Sequence, residues 1–295
     1  MAGKIQIPDD LKKDLPQSQW GKILSATPIV MTVIATMLAG LASSEMTKAQ
    51  YDRAYAAQLQ SKAGDQWSFY QAKKLRGAFA RNSVDLLAAT VELSPLVAAN
   101  LPGVGEATVN ALVKGELPTL KPAIFSDDIN AALATMENAT DDTEVAKKLA
   151  VIKPDALKAA LVDAKNAASA FDDATKPINK DSDRLDSELM KGDKATFRSF
   201  SAARLRYSAD RYDSEARLNQ SIANILELQV RQNNISAEHH HKRSKNFFFG
   251  MLAAQLGVIV STFAIAARKK NLLWSLAAAA GAAAVSFSLY VYLKV

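Results

Sequence analysis

No cysteine occurs in this chain, which excludes disulfides, thiolate nucleophiles, cysteine zinc sites and iron–sulfur ligation together. Histidine is nearly as scarce. The three present, His239 to His241, are contiguous, so a nucleophile, base and orienter triad has no dispersed imidazole to draw on. Strand-type alternation is nearly absent, and aromatics make up only 7% of the residues. Charge is missing from three long segments: Ile23 to Ala42 runs 20 residues without it, Phe247 to Ala267 runs 21, and Leu272 to Leu293 runs 22. A spanning helix needs about 20 such residues. Asp, Glu, Lys, Arg and His are absent from all three runs, whose polar members are mainly Ser and Thr with Gln255. Pumps and coupled transporters place acids and bases at membrane depth, so these segments read as packing elements.

What is present is a polar, helix-favouring middle. The mean hydropathy of -0.04 averages apolar ends against it. A formal charge of +6 and a pI near 9.3 suit contact with anionic headgroups at least as well as with nucleic acid. The expected class is an all-α membrane protein with three transmembrane helices, a long antiparallel, coiled-coil-like stalk and a small helical head. Its expected parts are an N-terminal segment over 1–22, a first span over 23–43 and an ascending helix over 44–82. A head over 83–193 follows, then a descending helix over 194–246, spans over 247–267 and 272–293, and a basic turn over 268–271 between them. The first span reads as an uncleaved anchor, because it is longer than a signal core and follows Asp9, Asp10 and Asp14. In the descending helix Phe197, Phe200, Leu205, Tyr212, Ala216, Ala223, Leu226 and Val230 recur at mostly helical steps. In the head, Pro95, Pro102, Pro118, Pro122, Pro154 and Pro177 cut the chain into short pieces, and Asp172 to Asp193 reads as a solvated linker or surface helix.

Small residues at one-turn spacing mark expected helix-packing positions: Thr32, Thr36 and Gly40 in the first span, Ala253, Gly257 and Ser261 in the second, Ala277 and Gly281 in the third. The string Leu101-Pro-Gly-Val-Gly-Glu-Ala-Thr-Val-Asn-Ala-Leu-Val113 resembles the turn of a helix-hairpin-helix motif, in which Gly103 and Gly105 would present amides to a phosphate. Only one copy is present and basic residues are lacking around it, so nucleic acid is not the expected partner. Glu238 and His241 have the Glu-x-x-His spacing of di-iron bundles, but contiguous histidines fan around a helix by about 100° each. A basic collar, with Lys242, Arg243 and Lys245, facing headgroups is the better reading there, and no cofactor is expected. Arg268, Lys269 and Lys270 form the turn between the last two spans. That short turn is the cleaner topological reporter, and it places the N-terminus in the cytoplasm with the large helical part outside.

Two blocks carry a family resemblance. Asp65-Gln-Trp-Ser-Phe-Tyr-Gln-Ala-Lys73, with Trp67, Tyr70, Gln71 and Lys73, follows the first span, and Leu256 to Trp274 leads through the final hairpin. Together they resemble bacterial membrane proteins carrying domain of unknown function 4337. The resemblance implies a bacterial, inner-membrane protein with a helical extramembrane part; it implies no activity and transfers no catalytic residue. The expected function is structural: a non-enzymatic scaffold whose partners are the lipid bilayer and either further copies of itself or a larger membrane complex. The alternatives are an accessory subunit of a membrane enzyme and, behind it, a tethered nucleic-acid binder. No small-molecule substrate is indicated.

Overall fold

The computed structural model describes residues 19–119, 121–138, 142–266 and 270–294. Among these there is no strand, and three helices are long and apolar enough to cross a membrane. The order is α1 (Gln19–Thr90), a 3-10 turn (Ala98–Asn100), α2 (Glu106–Val109) widening into a π turn (Asn110–Lys114), α3 (Asp127–Glu137), α4 (Asp142–Ala150), α5 (Pro154–Leu189), α6 (Lys194–Ala266) and α7 (Lys270–Lys294). The N-terminal residues 1–18 and the turn residues Arg268 and Lys269 lie outside the described residues, as does the Lys270 side chain. By contact the chain divides into two units, Met1–Ala54 with Asn234–Val295, and Tyr55–Asn233.

The first unit contains the three apolar segments. Met31, Ala35, Leu38 and Ala42 of α1 recur at steps of three and four and are buried, packing against Phe247 and Ala254 of α6 and Ala284 and Val291 of α7. The inward face of α7 is drawn by Ala277, Ala284 and Val291 at seven-residue steps, each 0% exposed. Met31 fills a hole made by two glycines. A Cβ at Gly257 would overlap its Cε, and one at Gly281 would stand 2.8 Å from its Sδ. Gly257, Ser261, Ala277 and Gly281 are therefore buried, and Ala253 is half-buried against the same cluster.

The small residues of α1 face away from this internal core. Thr32, Thr36 and Gly40 are exposed, and nothing approaches within 4 Å of a Cβ built on Gly40. Their neighbours Met31 and Ala35 carry the larger apolar contact, and one residue of offset turns a side chain about 100° around the helix. The two hydroxyls are satisfied locally, Thr32 Oγ1 donating to the Pro28 carbonyl at 2.8 Å and Thr36 Oγ1 to the Thr32 carbonyl at 2.9 Å. The first of these bonds caps a carbonyl at the proline itself, and Pro28 does not end α1.

In the second unit α6 is the central helix, with Ile222, Ala223, Asn224, Ile225, Leu226, Leu228, Gln229 and Val230 all buried. Ala56, Leu59 and Ala63 of α1 meet Ile222, Leu226 and Val230 of α6 and Ala164 of α5 in one cluster. Ile225 and Leu228 pack with Ile129 and Ala132 of α3, Val145 and Leu149 of α4 and Leu157 of α5 in another. Small residues let α1 and α6 approach closely: a Cβ on Gly77 would lie 3.4 Å from the Ala209 carbonyl oxygen. Among the described residues, the buried clusters that hold residues of α3, α4 or α5 also hold residues of α6.

Pro154 opens α5 at its first turn, where the missing N–H costs nothing. The helix then runs for 36 residues, through Pro177, to Leu189. Asp172 to Asp193 is consequently a packed helix for most of its length rather than a linker. Leu157, Ala164, Phe171, Ile178 and Leu185 recur every seven residues and are buried, while Asp172, Asp173 and Lys176 occupy the exposed flank. Ser126 caps α3 by accepting from the Ile129 amide at 3.5 Å.

Candidate functional site

Glu45 follows Leu38 by seven residues, so the helical period that buries Leu38 also turns this carboxylate inward just past the apolar segment. It is 6% exposed. Three groups answer it. His240 Nδ1 donates to Glu45 Oε2 at 2.6 Å, Lys48 Nζ donates to Oε1 at 3.0 Å, and Arg243 Nη1 stands 3.8 Å from Oε2. One turn along, Ser244 Oγ donates to the Ala42 carbonyl at 2.7 Å. Arg243 is turned inward to this acid, whereas Lys242 and Lys245 are exposed. The collar expected at the membrane surface is thus split between a clamp and a free basic rim. Glu45 is the residue that sequence reasoning missed; its seven-residue step from Leu38 was the available signal.

Burial pushes the Glu45 carboxyl up, but the hydrogen bonds from His240 and Lys48 and the charge of Arg243 outweigh it and hold it below its ordinary value of 4.5. A carboxyl lowered by folding contributes stability that is complete above its unfolded value and lost as pH falls through the folded one. Glu45→Gln is expected to lower the thermal midpoint of the full chain in detergent at neutral pH, at a cost of about 1.5–3 kcal/mol for a charged hydrogen-bonded group. The gap between the variant and the parent should close as pH drops below 4.5. A constant gap from pH 7 to pH 3, followed by circular dichroism, would show that the charge of Glu45 does not hold the clamp.

The histidine run does not converge. His239 and Glu238 are exposed, His240 is taken by Glu45, and among the described residues no group of three His, Cys, Asp or Glu side chains is placed to hold a metal. Fanning around the helix separates side chains that the linear spacing puts together.

In the second unit the Asp65–Lys73 block is structural in its contacts. Trp67 Nε1 donates to Glu227 Oε1 at 2.6 Å, and the Trp67 and Tyr70 rings meet edge to face at 5.5 Å. Lys73 pairs with Glu215 and lies 5.3 Å from the Tyr212 ring centroid. Gln71 is exposed. Further along, Lys74 and Arg81 both bind Asp213; burial pushes that carboxyl up, but these two partners outweigh it and lower it overall.

The turn with Gly103 and Gly105 is closed to phosphate. Gly103 has φ +66, the left-handed region glycine tolerates, and its carbonyl accepts from Arg184 Nη2 at 2.8 Å. The amide of Gly105 donates to Asp181 Oδ2 at 3.4 Å, and Thr108 Oγ1 donates to the same oxygen at 2.7 Å. A carboxylate from α5 already occupies the place a phosphate would take and repels a second anion.

Between α5 and α6 lies a polar hollow of about 280 Å³ with Asn179, Ser182, Arg204, Tyr207 and Arg211 on its walls. Burial pushes the Tyr207 phenol up to about 12, so its hydroxyl stays protonated and donates to Asn179 Oδ1 at 3.3 Å. Arg204 is neutralised by Asp183 and by Asp186.

No curated protein and no solved structure matches the chain. A family model described as domain of unknown function (DUF4337) matches residues 20–104, taking in the Asp65–Lys73 block but not Leu256–Trp274. The matched stretch takes in the apolar and polar parts of α1 and the turn that follows it, so the likeness to that domain covers this part of the chain alone.

Proposed function

We propose that this protein is a structural, non-enzymatic component of a bacterial inner membrane that self-associates through its spans. In this reading α1 and α6 form an antiparallel stalk along which α3, α4 and α5 pack. Its basic turn lies in the cytoplasm, with the helical part on the opposite side. The observation that carries the proposal is the outward stripe of Thr32, Thr36 and Gly40. The inward face of α1 is satisfied by Met31, Ala35, Leu38 and Ala42, so the chain keeps a second, small-residue face free on the same helix. Bilayer helices associate through such faces because small residues let backbones approach. Both hydroxyls already bond within the helix, which removes the cost of presenting them to lipid.

Gly40→Ile fills the stripe without touching the internal core, since nothing lies within 4 Å of that position. Mass photometry of the full chain in lipid nanodiscs should give a multiple of the 31.8 kDa protomer for the parent and a shift to monomer for the variant. A parent that is monomeric without any co-purifying protein contradicts the proposal. A parent that carries a different protein, lost from the Gly40→Ile variant, would replace self-association with an accessory role on that partner.

A further inference from the structure

Within the first unit, α1 and α6 leave a groove of about 420 Å³ beside the Glu45 clamp. Its walls are apolar, with Ala39, Ala42 and Met46 from α1 and Phe248 and Met251 from α6; His241 and Lys245 line it on the polar side of the α6 apolar segment. These two have chemistry to spare. His241 Nδ1 is buried with no hydrogen-bond partner among the described residues. Lys245 is exposed, forms no ion pair among them, and has its Nζ 5.9 Å from the Phe249 ring centroid. The nearest buried acid offers no relief, because Glu45 is already engaged by His240, Lys48 and Arg243. Glu238, a turn before His241 on α6, is exposed.

An apolar groove ending in an unpaired ammonium and an orphaned imidazole nitrogen matches a molecule that is a hydrocarbon chain at one end and an anion at the other. We infer that the groove binds one anionic phospholipid, with its phosphate held by Lys245 and His241 and one acyl chain lying along Ala39, Ala42 and Met251. The order of residues fits the depth this requires, since Lys245 precedes the charge-free run that starts at Phe247 while Ala39 and Met251 lie within such runs. Charge complementarity selects this occupant: a zwitterionic lipid brings its own ammonium against Lys245, and a helix from another chain leaves the imidazole unmet. The inference rests on the first and second apolar segments crossing a bilayer, but not on self-association.

Native mass spectrometry of the full chain in mild detergent tests it, with added phosphatidylglycerol, phosphatidylcholine of the same acyl chains, or glycerol phosphate. The parent should retain one phosphatidylglycerol about tenfold more than phosphatidylcholine. Lys245→Gln should erase that preference, and Ala39→Phe, which fills the apolar end, should reduce retention of both lipids. Equal retention of the two lipids by the parent overturns the proposal. So does unchanged selectivity in Lys245→Gln, or competition by glycerol phosphate as effective as that by the intact lipid. The same spectra report the number of protomers: a monomer with selective lipid removes self-association and keeps the lipid site, whereas an oligomer without selectivity does the reverse.

Discussion

Phe200→Ala is expected to destabilise the second unit by about 3–5 kcal/mol, the range for emptying a buried phenylalanine site. Phe200 is 0% exposed and joins three parts of the chain: Leu101, Ala111 and Leu112 after α1, Ile178 and Leu185 of α5, and Tyr207 of α6. The void has little freedom to collapse. Ser199, Ala202 and Ala203 on either side of it in α6 are buried as well, and the seven-residue seam of α5 fixes the opposite wall. Denaturant unfolding of the full chain in detergent measures the loss, and limited proteolysis locates it. Cleavage between Pro95 and Pro122 should accelerate, because this segment depends on the cluster through Leu101, Leu112 and its partly buried neighbours. Phe197, which packs only at the edge of the same cluster, should cost markedly less when truncated. Equal losses at Phe197 and Phe200 would mean that the cluster is not the organising contact.

Gly257→Leu should disrupt the three-helix packing of the first unit at a cost of about 1–3 kcal/mol from overpacking. The reason is Met31, which is 3% exposed and occupies the space that any side chain on Gly257 would need. Retreat towards α7 is blocked by the closeness of Met31 Sδ to Gly281. Gly257→Ala should be milder, since it meets only the terminal methyl of a flexible side chain. Met31→Ala placed in the Gly257→Leu background should recover much of the loss, giving a favourable interaction energy in a double-mutant cycle. Resistance to unfolding in mixed micelles of sodium dodecyl sulfate is a suitable measure. Strict additivity of the two substitutions would contradict the plug.

The three apolar segments were legible because a helix that stays free of charge over about 20 residues matches the thickness of a bilayer core. Rotation of the helices was not. Small residues at one-turn spacing occur on more than one face of α1, and bulk does not separate the faces either, since Met31 and Leu38 are buried whereas Ile29, Val33 and Met37 are exposed. The same difficulty left Asp172 to Asp193 open between a linker and a surface helix, because a dense run of Asp and Lys on the flank masked the buried positions Phe171, Ile178 and Leu185. Pro177 favoured the linker, although a helix packed along its length tolerates one missing amide. The partners of the Gly103–Gly105 turn were hidden for a different reason. Its local sequence suits an anion, but the anion is supplied by Asp181, 76 residues away from Gly105, and only tertiary structure brings the two together. Glu45 belongs to the same class, as its partners His240 and Arg243 lie on another helix.

Because the chain contains no cysteine, a single introduced thiol reports contacts between copies without background. Disulfide crosslinking of Thr36→Cys in intact membranes addresses the outward stripe directly, with Ile34→Cys, half-buried against the internal core, as the inward control. Self-association through α1 predicts a covalent dimer at Thr36→Cys and none at Ile34→Cys. No dimer at either position, or equal dimer at both, contradicts it.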